Sequence, residues 1–170
     1  MWKELVGPET IADSFSCATV VFADIAGFTF WSSNRNPVDV FQLLELLFKE
    51  FDIVGLHTRV FKVSTIGDFY LATSGLPYIR DDHAEVMAKF LVECQKIFEV
   101  VTTELAYTLG SETTYLKLRC GLHSGPVTAG VLRGYDQGLR YLATLSTLHI
   151  SWKSLGYQQE SSFLRQRLIF

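Results

Sequence analysis

Residues 60–73 read VFKVSTIGDFYLAT. Two runs rich in β-branched and aromatic residues, 60–66 and 69–73, are separated only by Gly67 and Asp68. Two turn-forming residues between strand-like runs are typical of a tight β-hairpin. The sequence therefore predicts a hairpin whose tip carries a carboxylate, that of Asp68.

Strand and helix patterns alternate around this hairpin. Before it, residues 18–23 form a short apolar run that is typical of a buried strand and ends at Asp24. Apolar side chains then recur at helical spacing from Pro37, which is expected to open a helix. After the hairpin, residues 84–105 show the same helical spacing. The pattern predicts one helix on each side of the hairpin.

The last part of the pattern predicts two strands, at residues 115–122 and 127–132, joined by a turn at residues 124–126. The order of elements is then β-α-β-β-α-β. This order predicts an α+β fold of the ferredoxin-like palm type, with both helices on one face of an antiparallel sheet.

Composition narrows the class of protein. The chain has 170 residues, 48% of them hydrophobic and 19% charged, which favours one domain with a packed core. The net charge of -3 gives no electrostatic reason to expect nucleic acid as a partner. No signal-peptide pattern and no bilayer-length apolar run is visible, so we expect a cytoplasmic chain without a membrane segment. The three cysteines, Cys17, Cys94 and Cys120, are expected to be buried free thiols.

The palm topology brings two acidic residues together. The end of the first strand, at Asp24, lies next to the hairpin tip, at Asp68. Converging carboxylates suit Mg²⁺ or Mn²⁺, and a nucleoside triphosphate could complete the coordination. Taken singly, each aspartate is also an ordinary turn or cap residue. Lys62 and Arg119 allow phosphate contacts, although solvated strand ends are the simpler interpretation.

Three blocks of sequence resemble the class III adenylate/guanylate cyclase catalytic domain. Residues 21–29, VFADIAGFT, resemble its first metal motif. Residues 61–70, FKVSTIGDFY, followed by SGLP at 74–77, resemble the second. Residues 118–131, LRCGLHSGPVTAGV, resemble a third block, and the whole resemblance covers about residues 11–134.

The resemblance implies a reaction and a site. Two Mg²⁺ or Mn²⁺ ions would bind Asp24, Asp68 and the backbone carbonyl of Ile25. Phosphate would bind at the loop that contains Ala26, Gly27, Phe28 and Thr29. GTP or ATP would become the 3′,5′-cyclic nucleotide and pyrophosphate. The family works as a dimer, so a homodimer or a heterodimer with another cyclase domain is expected, often downstream of a membrane-anchored or sensor segment.

One departure from the family pattern concerns the purine. Ser64 stands where guanylate-type relatives have Glu and many adenylate-type relatives have Lys. Serine has neither that charge nor that reach, so the choice between GTP and ATP stays open. The residues of the three blocks resemble the guanylate type more than the adenylate type.

A larger departure begins after residue 134. The family continues with a Phe-Gly-Asp segment and a helix that carries an Asn and an Arg, whereas residues 135–140 read YDQGLR. Codons that straddle neighbouring residues from Leu142 onward can spell Gly-Asp-Thr-Val-Asn-Thr-Ala. We therefore predict an N-terminal linker at 1–15, a partial catalytic domain at 16–134 and an out-of-frame tail at 135–170, so that the palm is incomplete at its C-terminus.

Three functional readings follow. The first is a purine nucleotide cyclase domain that is inactive alone, because the transition-state half of the site is missing. The second is a non-catalytic, cyclase-like subunit that binds metal–nucleotide or pairs with an intact domain. The third is another palm-like nucleotidyl enzyme, and the absence of a Gly-Gly-Asp/Glu-Glu-Phe type turn counts against it.

Overall fold

The computed structural model describes residues 11–133 and 139–145 of the chain. Its elements, in chain order, are β1 (Ile11–Ala26), α1 (Phe28–Ser33), α2 (Pro37–Thr58), β2 (Phe61–Ile66), β3 (Phe69–Ser74), α3 (His83–Leu109), a 3₁₀ turn (Ser111–Tyr115), β4 (Lys117–Arg133) and β5 (Leu139–Leu145). Among the described residues, no helix is long and apolar enough to cross a membrane.

The sheet has the strand order β2-β3-β1-β4-β5, and every neighbouring pair is antiparallel. Without β5, the order is that of a ferredoxin-like palm, so the predicted fold class is confirmed. Strand β5 lies on the outer edge of β4, within the segment predicted to be an atypical tail. Residues 146–170 of that segment lie outside the described residues, and the out-of-frame origin of the tail stays a prediction.

Local sequence signals fix the hairpin and the long helices. Ile66 pairs with Phe69, and Gly67 has a φ of 60° at the first central position of the turn, as in a type II′ hairpin. Helix α2 begins at Pro37, and the side chain of Asn36 caps it by accepting a hydrogen bond from the backbone N–H of Val38 at 3.0 Å. These elements confirm the predicted positions.

The predicted turn at residues 124–126 is wrong, because β4 runs through it without a break. A β-bulge in β1 explains the difference. Phe15 pairs with Val127 and Ala18 pairs with Gly125, so two residues of β1 face the single residue Pro126. A proline inside a sheet is tolerated at a bulge, where its missing N–H costs no ladder hydrogen bond.

The same pairing moves the beginning of the first strand. Strand β1 begins at Ile11 rather than near residue 18, because residues 11–15 pair with β4 beyond the bulge. The sequence prediction had placed these residues in an N-terminal linker. In the described structure they are part of the sheet.

Two apolar clusters lie on the two faces of the sheet. The larger one joins β1 to α2 and α3 and includes Val21, Ala23, Phe51, Tyr70 and Phe90, all less than 5% exposed. The smaller one lies on the opposite face and comprises Ala18, Val20, Phe22, Leu76 and Val127. Alternate residues of β1 therefore point to opposite faces, as a pleated strand requires.

Candidate active site

Asp24 lies near the C-terminal end of β1, on the sheet face that α2 and α3 do not cover. It pairs directly with Arg119 of β4. The Arg119 Nε donates to Asp24 Oδ1 at 2.8 Å, and its Nη2 donates to Oδ2. The Asp24 side chain is 6% exposed and that of Arg119 is 34% exposed. A buried carboxylate is thus compensated by a two-pronged guanidinium contact.

The sequence prediction missed this role of Arg119, which had been read as a solvated strand end. The predicted topology could have indicated that Arg119 lies near Asp24. In a β-α-β-β-α-β palm the last strand pairs with the first, so the third family block must lie beside the first. Which residue faces Asp24 then depends on the register between two strands that are far apart in sequence.

Asp68 lies at the hairpin tip, half-buried beside the end of β1. Burial raises the pKa of its carboxyl above the ordinary value, and the charge of Asp24 raises it further. Hydrogen bonds from the backbone N–H groups of Asp68 itself and of Ile25, together with the charge of Arg119, act in the opposite direction. The structure thus brings together Asp24, Ile25 and Asp68; their role as metal ligands stays a prediction.

The predicted phosphate loop follows directly. Gly27 has a φ of 88°, which favours glycine, and it precedes α1, where Phe28 and Thr29 are the first residues. The first N–H groups of a helix have no partner within the helix. The Trp31 indole anchors this short helix, since its Nε1 donates to Thr113 Oγ1 at 3.1 Å. The loop therefore has a fixed shape and backbone donors at its end.

The other two predicted contacts lie on β2. Ser64 pairs with Leu71, which in turn pairs with Phe22. Residues that pair directly share a face, so Ser64 lies on the same face as Asp24. Lys62 is held elsewhere, because its Nζ donates to Asp52 Oδ2 at 2.7 Å. Its pairing with α2 gives Lys62 a structural role.

The donor set fits a hard divalent cation. It consists of two carboxylates and a backbone carbonyl, the oxygen ligands that Mg²⁺ and Mn²⁺ prefer. Among the described residues, no group of three or more His, Cys, Asp or Glu side chains could hold a metal. Water and nucleotide phosphates would therefore supply the remaining ligands, as is usual for Mg²⁺. Burial is the main cause of the raised pKa of Asp68, and the nearby charge of Asp24 adds to it.

The model of the adenylate and guanylate cyclase catalytic domain family matches residues 10–141. The chain belongs to this family. The match covers all three motif blocks and extends a few residues into the segment predicted to be an atypical tail. It also includes Asp24, Asp68 and Arg119.

Relatives of both purine types are similar to the chain. A receptor-type guanylate cyclase of Caenorhabditis elegans, gcy-28, is 41% identical over 129 residues, which are 75% of this chain and 10% of that protein. The germination-specific adenylate cyclase of Dictyostelium discoideum is 36% identical, over 76% of this chain and 14% of that protein. The chain thus spans only a small part of the length of these relatives.

Solved cyclase domains have the same fold. The guanylate cyclase domain of RhGC from Catenaria anguillulae, in complex with GTP, is 31% identical with a TM-score of 0.68, over 79% of this chain and 69% of that one. The non-canonical dimeric guanylyl cyclase domain of RhoGC from Blastocladiella emersonii is 33% identical with a TM-score of 0.66, over 82% and 72%.

Proposed function

We propose that this chain is a part of a nucleotide cyclase that converts GTP or ATP to the 3′,5′-cyclic nucleotide and pyrophosphate. The observation that carries the proposal is the convergence of Asp24 and Asp68 at one end of the sheet, beside the Gly27 loop that leads into α1. The reaction proposed for these two carboxylates follows from family membership. The chemistry is the attack of the ribose 3′-hydroxyl on the α-phosphate.

Each residue of the site has a distinct task in this proposal. Asp24, Asp68 and the carbonyl of Ile25 would hold two divalent ions. When bound, these ions lower the pKa of the attacking hydroxyl and neutralise phosphate charge. The backbone N–H groups at residues 26–29 orient the triphosphate. Arg119 compensates Asp24 when no cation is present.

Of the two purine nucleotides, we favour GTP as the substrate. The residues of the three motif blocks resemble the guanylate type more than the adenylate type, which supports GTP. Ser64 lies on the Asp24 face, where a side chain can meet a bound nucleotide. A serine hydroxyl both donates and accepts a hydrogen bond, so it does not by itself reject adenine.

A second cyclase domain is the proposed partner. The smaller apolar cluster, Ala18, Val20, Phe22, Leu76 and Val127, lies on the same face as Asp24, and in the described part of the chain neither α2 nor α3 covers it. Its members are already at most 8% exposed within this chain, so the proposal rests on the two aspartates. A similar domain placed at the Asp24 end of this face would bring its own residues to them. A homodimer or a heterodimer would both satisfy this geometry.

A non-catalytic role is the second candidate. Residues 135–170 lack the family segment with the Asn and Arg that stabilise the transition state. Losing such preorganised charge lowers rates by about 10²–10³-fold per donor. The chain would then bind metal–nucleotide without turnover, or work only beside an intact domain.

One assay separates these candidates. The chain alone, the chain mixed with an intact cyclase domain, and a version with the frame corrected after residue 134 are each given Mn²⁺ with GTP or ATP. We expect cyclic nucleotide from the corrected version and little from the chain alone. Asp68→Asn, introduced into the corrected version, should abolish the activity. The exposed Glu93→Gln serves as the matched carboxylate control. Full activity of Asp68→Asn would refute the proposed metal site.

A further inference from the structure

A second polar cluster lies on the helix-covered face of the sheet, at the N-terminal end of α3. The Cys17 Sγ, in the bulge of β1, lies 3.2 Å from His83 Nε2. The other ring nitrogen of His83, Nδ1, lies 2.7 Å from Thr19 Oγ1. Thr19 Oγ1 in turn lies 2.7 Å from Ser124 Oγ on β4. A thiol, an imidazole and two hydroxyls thus form one continuous chain of contacts.

The chain of contacts can accommodate transfer of the thiol proton to the imidazole. With protons on both ring nitrogens, His83 Nε2 donates to the Cys17 sulfur and Nδ1 donates to Thr19 Oγ1. The Thr19 hydroxyl then donates to Ser124, so every polar atom keeps a partner. A nucleophile beside a base, with the base oriented by a third group, is the arrangement that activates cysteines.

A buried hydroxyl without a hydrogen-bond partner among the described residues lies in the same part of the sheet. Ser74 lies directly opposite Thr19 in the β1–β3 pairing and therefore shares its face. Its side chain is fully buried, and its Oγ is the buried side-chain polar atom without a hydrogen-bond partner among the described residues. Native proteins rarely leave such an atom unpaired outside functional or water-filled positions.

The three cysteines differ in accessibility. Cys94 is buried, and burial raises the pKa of its thiol well above the ordinary value. Burial raises the pKa of Cys120 to about 12. Cys17 is exposed, which corrects the expectation of three buried thiols. Cys120 is partly buried, so Cys17 is the most accessible of the three thiols, and it is the one beside a histidine.

We propose that Cys17 and His83 form a thiol-modification site that reacts with small disulfides. The Cys17 sulfur attacks one sulfur of the disulfide while His83 Nε2 accepts the thiol proton. A new S–S bond forms on Cys17 and the S–S bond of the reagent breaks. The departing thiolate takes the proton from His83, so one mixed disulfide and one small thiol result. The Cys17 sulfur is oxidised, and the leaving sulfur is reduced.

Disulfide-exchange kinetics test the proposal on the full chain. The reaction with 5,5′-dithiobis(2-nitrobenzoate) is followed by absorbance, and the reaction with glutathione disulfide by intact mass. We expect one fast equivalent that maps to Cys17 and disappears in Cys17→Ser. Cys120→Ser should leave the fast reaction unchanged. A base in place should make the rate at least about tenfold greater than that of a peptide with residues 13–21.

His83→Gln, which keeps a polar side chain but removes the base, should lower the rate to that of the peptide. Circular dichroism establishes that the variant is folded. A folded His83→Gln that reacts as fast as the unaltered chain overturns the proposal. So does an unaltered chain whose Cys17 reacts no faster than the peptide, and this second comparison decides the matter even if His83→Gln does not fold.

Discussion

Replacing Arg119 by glutamine would remove the charge that faces Asp24. The Asp24 side chain is 6% exposed, so its carboxylate would be left buried with a weaker, uncharged partner. Breaking a buried ion pair costs about 3–5 kcal/mol. The Arg119 side chain is 34% exposed, so water replaces part of the lost interaction, and we expect a loss of about 2–3 kcal/mol. In a chain of this size the melting temperature would fall by roughly 4–12 °C.

Thermal and urea unfolding of the metal-free chain measure this loss. Lys96→Gln is the control, because the Lys96–Glu93 pair is exposed and should change stability by less than about 0.5 kcal/mol. Adding Asp24→Asn to Arg119→Gln should recover part of the stability, since no buried charge then remains. Mn²⁺ should stabilise Arg119→Gln more than the unaltered chain, because the ion replaces the missing cation. An Arg119→Gln melting curve indistinguishable from that of Lys96→Gln would refute the reasoning.

Three further changes test other parts of the structure. The folded-state pKa of Asp68 is raised, so ionisation of this carboxyl opposes folding. Metal-free Asp68→Asn should therefore gain stability relative to the unaltered chain as the pH rises from about 4 to 7, measured by urea titration. The same variant should lose the stabilisation by Mn²⁺. Phe51→Ala should cost about 3–5 kcal/mol, since Phe51 is 2% exposed and its ring centroid lies 5.5 Å from that of Tyr70; equal stability would contradict the described core. Gly75→Ala should cost roughly 1–3 kcal/mol in thermal melting, because Gly75 has a φ of 95° and an added Cβ would lie 3.2 Å from the Ala18 Cα; an unchanged melting temperature would argue against this backbone.

The elements with local signals could be predicted from the sequence. The hairpin was marked by Gly67 and Asp68, and α2 by Pro37 and its apolar spacing. The proximity of the two aspartates also followed, because the palm topology requires it. These are properties of a few neighbouring residues or of the order of elements, and both can be read along the chain.

The features that could not be predicted depend on the register between distant strands. Pro126 looked like part of a turn because proline usually interrupts a strand. Only the extra residue on the facing strand, β1, makes room for it. The contact between Asp24 and Arg119 depends on the same register, as does the position of Cys17 beside His83. No local pattern in the sequence encodes which residue of one strand meets which residue of another.

The bulge in β1 also determines which residues of the strand face each side of the sheet. Before it, Phe15 points to the smaller apolar cluster with an odd residue number; after it, Val20 and Phe22 point there with even numbers. One inserted residue thus keeps both halves of a long strand facing correctly. The chain can exchange the side chain of Ser16 but cannot lose the residue. A single deletion there would reverse the facing of one half of β1. If that half were the second, the carboxylate of Asp24 would lie on the face covered by the helices instead of the opposite face.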